Sequence, residues 1–76
     1  MSDWSPEAAI AMEKRHLIRG EEMIAHQERI ISQLTMKGLD EHLPRANDLL
    51  NLMRQTLEMT RERLRDLENR YGKPSS

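Results

Sequence analysis

Cysteine is absent from the 76-residue chain, and with it disulfides, thiol catalysis and thiolate metal sites. Valine and phenylalanine are also absent, threonine occurs three times, and Trp4 and Tyr71 are the only aromatic residues. β-Branched and aromatic side chains are what a pleated sheet favours, so this composition nearly excludes one. Neither sign of charge dominates: 12 basic and 13 acidic residues leave a net charge of −1. That balance argues against a strongly basic nucleic-acid binder or membrane-surface protein. No apolar run approaches the roughly 20 residues of a membrane span, and no charged–apolar–small leader opens the chain. A cytoplasmic compartment and one small domain over residues 1–76 are the expectation.

What the chain does have is helix-forming material. Leucine (ten) and isoleucine (five) carry most of an apolar content of 37%, against 33% charged residues. Ser5-Pro6-Glu7 starts a helix. A serine hydroxyl accepts an orphan backbone N–H, proline at the first position gives up an N–H that has no partner, and glutamate suits the positive end of the dipole. No proline follows until Pro44, and strong helix formers fill the interval. Gly38 stands where a helix-ending glycine belongs, and Lys37 favours the negative end. Helix one is therefore expected over about residues 6–37, a turn over 38–43, and helix two over about 44–70. Pro44 belongs in the first turn of helix two, with Asp40 as an alternative, earlier cap. Met1 to Trp4 and Lys73 to Ser76 are expected to fray.

Heptad spacing then orients the helices. Leu43, Leu50, Leu57, Leu64 and Tyr71 recur every seven residues, and Ala46, Met53, Thr60 and Leu67 follow by three. This is an a/d seam four heptads long. Helix one repeats it with Ile10, Leu17, Ile24 and Ile31 at a, and Leu34 at d. Its other d positions, Glu13, Gly20 and Gln27, break the apolar rule. Met23 and Ile30 widen the stripe on one side, which suits a bundle better than a two-stranded coil. A short turn makes the helices antiparallel neighbours. Residues whose numbers sum to about 81–84 should then face each other, such as Ile24 with Leu57 and Leu17 with Leu64. Gly20 should face Thr60 or Leu64, as a notch for close packing or as a kink. Gln27 is a polar residue on an apolar seam, of the kind that fixes register or partner choice.

A lone hairpin of this size is thinly supported. Below about 70–80 residues one core rarely supplies more than ~3–5 kcal/mol. Ordering costs roughly 1–2 kcal/mol per residue of backbone entropy. Ile18, Met23, Ile30, Leu49 and Leu52 lie off the narrow seam and would face water. Dimerisation into a four-helix bundle covers them with the fewest assumptions, so a homodimer is expected, with an unknown protein partner as a further possibility.

Chemistry has few footholds. Glu13-x-x-His16 is half of a carboxylate-bridged di-metal motif, but the matching glutamates, Glu62 and Glu68, sit at outward or flanking positions. The plainer reading puts Glu13 and His16 at a polar, water-facing end of the bundle. Glu22 and His26, one turn apart, read as an exposed ion pair. No nucleophile–base set or phosphate-cradling loop is present, so neither catalysis nor a metal or other cofactor is expected. Arg54, Glu58, Glu62, Asp66 and Arg70 form an i,i+4 row that reads as a solvated face. The basic clusters Lys14/Arg15/Arg19 and Arg61/Arg63/Arg65 are interleaved with acids and lack aromatic residues for stacking. Hairpin dimers of the Rop type, plasmid copy-number regulators that bind paired RNA loops, resemble this chain in architecture. A nucleic-acid-binding bundle is therefore the runner-up.

One further resemblance rests on residues. His16-x3-Gly20-Glu21-x2-Ile24-x2-Gln27-x3-Ile31-x2-Leu34-x3-Gly38, with Ala46-x2-Leu49-Leu50 and Thr56-Leu57, resembles a group of short helical proteins from rhizobia and related alphaproteobacteria. It covers about residues 16–67 and departs in the turn, where Gly38 to Ala46 is longer and holds Pro44. The resemblance implies a bacterial, cytoplasmic origin and no particular activity. The expected protein is an all-α, antiparallel helical hairpin that self-associates and acts through protein contacts.

Overall fold

A computed structural model describes residues 4–72. The chain is two helices joined by a tight connection: α1 over Pro6–Met36 and α2 over Leu43–Tyr71, with a single 3-10 turn, Asp40–His42, between them. Among the described residues there is no strand. At 1.5 Å per residue the helices are about 46 and 44 Å long. They pack against each other along their length.

Each boundary has a local cause. Ser5 caps α1 in an extended conformation, and the Ala8 N–H donates to its Oγ at 3.1 Å. At the other end Gly38 takes φ +70°, where a Cβ would be strained. The Gly38 N–H donates to the Thr35 carbonyl and the Leu39 N–H to the Leu34 carbonyl. This paired closure satisfies two carbonyls that the helix end would leave open. The 3-10 turn then delivers Leu43 and Pro44 to the start of α2, which no side chain caps. Asp40 opens that turn and does not cap α2. Expected fraying of residues 1–3 and 73–76 lies outside the described residues. Trp4 does not stand free: its ring meets Tyr71 edge-on, with centroids 5.6 Å apart, clipping the open end of the hairpin.

The seam follows the heptads. Leu50, Leu57 and Leu64 are the buried apolar residues, and Glu13 and Gln27 are buried with them. Ile10, Leu17, Gly20, Ile24, Ile30, Ile31 and Leu34 of α1 are half-buried, as are Leu43, Ala46, Met53, Thr60 and Leu67 of α2. Thr60 fits on the inner face because its hydroxyl donates to the Thr56 carbonyl at 3.2 Å.

Gly20 lies against Leu57, not against Thr60 or Leu64. The other two breaks in the α1 seam meet polar groups of α2: Glu13 the Arg63 guanidinium and Gln27 the Ala46 carbonyl. α1 ends one residue earlier and α2 begins one residue earlier than expected.

The molecule is one layer deep, with principal extents of 52 × 33 × 14 Å. Its accessible surface is 6361 Å².

Candidate functional site

The two flanks of the hairpin are built differently. One is closed by cross-helix ion pairs: Lys14 with Glu68 at 3.9 Å, Glu21 with Arg61 at 3.6 Å and Glu28 with Arg54 at 3.0 Å. Successive pairs step by seven along both helices, and the residue numbers of each sum to 82. These are the e positions of antiparallel neighbours, and the sign of the charge is opposite at every rung. Each exposed pair contributes only about 0–1 kcal/mol, yet a slip of one turn breaks all three together. The outer i,i+4 row expected from Arg54 to Arg70 exists only in part. Arg70 holds Asp66 at 3.2 Å and Arg61 holds Glu58 at 3.5 Å, while Arg54 reaches across to α1. Opposite signs at matching e positions were the available clue.

The other flank is open. There a groove of about 540 Å³ runs between the helices, its floor formed by Gly20, Met53 and Leu57 and its walls by Met23, Leu49, Leu52, Thr56 and Met59. Met23, Leu49, Leu52 and Met59 are exposed. His16, Arg19 and Arg63 surround one end. Met59 and Thr56 line the groove although neither belongs to the expected seam. Met59 follows Leu52 by seven and was the signal to find. Met12 and Ile18 are also exposed but line a separate, more polar depression on the outside of α1, among Arg15, Arg19 and Glu22.

Gly20 is a notch. A Cβ built there would come within 2.8 Å of Leu57 Cδ1. Gly20→Ala would gain up to ~1 kcal/mol of helix propensity but crowd a buried leucine, which typically costs about 1–3 kcal/mol. The expected result is a net loss of about 1 kcal/mol in urea unfolding at fixed protein concentration. A stabilised variant would show that Leu57 gives way freely and that the notch is not tight.

Gln27 does its work inside the hairpin. It is 5% exposed, and its Nε2 donates to the Ala46 carbonyl of α2 at 3.0 Å. A carbonyl has a second lone pair beyond its helical bond, so Gln27 joins the helices without opening α2. This bond ties the level of α1 to that of α2.

Glu13 contradicts its expected place at a water-facing end. It is 8% exposed, with Oε1 3.4 Å from an Arg63 guanidinium nitrogen and 3.9 Å from His16 Nδ1. Oε2 is buried with no hydrogen-bond partner. Arg63, on α2, already supplies a cation to this carboxylate. Among the described residues no three histidine or acidic side chains gather as a metal site. Glu22 and His26 form no ion pair among the described residues, and His42 lies 3.8 Å from Glu41 in the connection.

Among the described residues no helix is long and apolar enough to cross a membrane. Compared with known proteins, the chain matches no family model, no curated protein and no solved structure.

Proposed function

We propose that this chain is a non-enzymatic helical hairpin that acts by self-association, forming a homodimeric four-helix bundle through its open flank. The observation that carries this reading is the asymmetry of the hairpin. One flank is closed by three ion pairs, while the other presents an apolar groove walled by exposed Met23, Leu49, Leu52 and Met59. Contiguous exposed apolar surface of this kind marks an interaction site. A second layer is what a slab 14 Å thick lacks, because three apolar residues are buried among the described residues. The bacterial, cytoplasmic setting implied by the sequence resemblance belongs to the same proposal.

Sedimentation equilibrium at micromolar concentration tests it. The expected mass is twice the 9.0 kDa of the chain. Leu52→Glu, which puts a charge on the groove wall, is expected to weaken association by roughly a hundredfold and to make the thermal midpoint fall steeply on dilution. A monomer that unfolds cooperatively, with a midpoint independent of concentration, would overturn the proposal.

A further inference from the structure

The outer edge of the groove wall on α2 carries a pattern that self-association alone does not require. Arg45, Leu52, Met59 and Asp66 stand seven residues apart on one stripe of the helix, and all four are exposed. The stripe is self-complementary when read backwards: a cation, two apolar residues, an anion. Thr56 lies near its midpoint and lines the groove. Arg45 enters none of the ion pairs within the hairpin among the described residues. Asp66 uses one carboxylate oxygen for Arg70, at 3.2 Å, and has the other to offer.

Resting on the self-association proposed above, we infer that the second copy docks with its α2 antiparallel to this one, about a twofold axis at Thr56. Leu52 of each copy then lies beside Met59 of the other, over the groove, and Arg45 of each pairs with Asp66 of the other. The cationic end of the groove, with His16, Arg19 and Arg63, is set against the apolar end that carries Leu49. A parallel arrangement does the reverse. It stacks Arg45 on Arg45, Asp66 on Asp66 and the two cationic groove ends on each other, like-charge contacts that oppose docking. A twofold interface uses the same patch on both subunits, which is what a stripe complementary to its own reversal provides.

The absence of native cysteine makes the orientation directly measurable. Single variants Thr56→Cys, Arg45→Cys and Asp66→Cys would be treated with a short bismaleimide and resolved on denaturing gels. Thr56→Cys should cross-link to a dimer, and so should an equimolar mixture of Arg45→Cys with Asp66→Cys. Each of the latter two alone should react roughly tenfold or more slowly, since its own counterpart lies about 32 Å away along the antiparallel helices. Efficient self-cross-linking of Arg45→Cys or Asp66→Cys would overturn the antiparallel arrangement. Charge exchange gives a second readout that keeps native packing. Arg45→Asp or Asp66→Arg alone should weaken dimerisation by roughly fivefold, and the double exchange should restore it. No loss in the single variants, or no rescue in the double one, would also overturn the pairing. A native protein that sediments as a cooperative monomer removes self-association itself. A native dimer with the wrong cross-links removes only this orientation.

Discussion

Leu57→Ala is expected to lower the unfolding free energy by about 3 kcal/mol, in the middle of the range for buried leucine truncations. Leu57 is 7% exposed and lies at the centre of the hairpin, level with Gly20. The truncation removes most of the side chain's burial, worth about 1.5–3 kcal/mol, and leaves a void beside a residue that has no side chain to move into it. Neighbouring leucines sit two turns away in either direction and cannot fill the space. The same site yields a sharper test. In the Leu57→Ala background the Cδ1 atom that crowds position 20 is gone. Gly20→Ala should then change sign, from a loss of about 1 kcal/mol to a gain approaching the ~1 kcal/mol of helix propensity. Urea melts of the four proteins at one concentration measure the coupling. Additive effects, or a Leu57→Ala cost below about 0.5 kcal/mol, would remove Leu57 from the centre of the interface.

Glu13→Leu is expected to stabilise the protein by about 2 kcal/mol, although it deletes an ion pair. A leucine here would bury an apolar side chain worth about 1.5–3 kcal/mol. It would also remove a buried carboxylate oxygen without a partner, a group that typically costs about 1–3 kcal/mol. Opposing this is the loss of the contact with Arg63, whose side chain is 58% exposed and returns to water readily. Hydrogen bonds to charged groups contribute about 1.5–3 kcal/mol, which the two gains together still outweigh. Replacing buried charges by well-packed apolar residues has this sign elsewhere. Glu13→Gln separates the two terms, because it keeps the shape and removes the charge; its gain should be smaller than that of leucine. Thermal and urea unfolding decide the matter. A Glu13→Leu variant destabilised by more than about 1 kcal/mol would mean that the contacts to Arg63 and His16 outweigh the burial.

Both experiments concern residues that looked like flaws in the heptad pattern. Glu13, Gly20 and Gln27 interrupt an otherwise apolar seam, and a sequence pattern has no vocabulary for why. Side by side with α2, Gly20 is the complement of Leu57, Gln27 bonds the Ala46 carbonyl and Glu13 meets Arg63. A leucine needs a space, and a glycine across from it is that space. The groove shows the same limit. Met23, Leu49 and Leu52 stood out as apolar residues off the seam, but which of them share a concave wall depends on the level at which the helices meet.

The amino-acid sequence by itself determined what short-range physics controls. Ser5 and Pro6 start α1, Gly38 ends it in a conformation strained for other residues, and seven-residue spacing decides which face of each helix turns inward. Absence of valine, phenylalanine and cysteine left little alternative to a helical hairpin. Only the tertiary structure decided how α1 and α2 line up and which flank is closed. The reason lies in the periodicity itself. A pattern that repeats every seven residues looks the same after a slip, so it orients each helix about its axis but says little about sliding along it. Sliding is settled by contacts that do not repeat: Gly20 under Leu57, the Gln27 amide on the Ala46 carbonyl, and the Lys14–Glu68 rung, whose signs are reversed from those of the two Glu–Arg rungs beside it. Once that level is set, the ion pairs close one side of the hairpin and leave the apolar groove on the other.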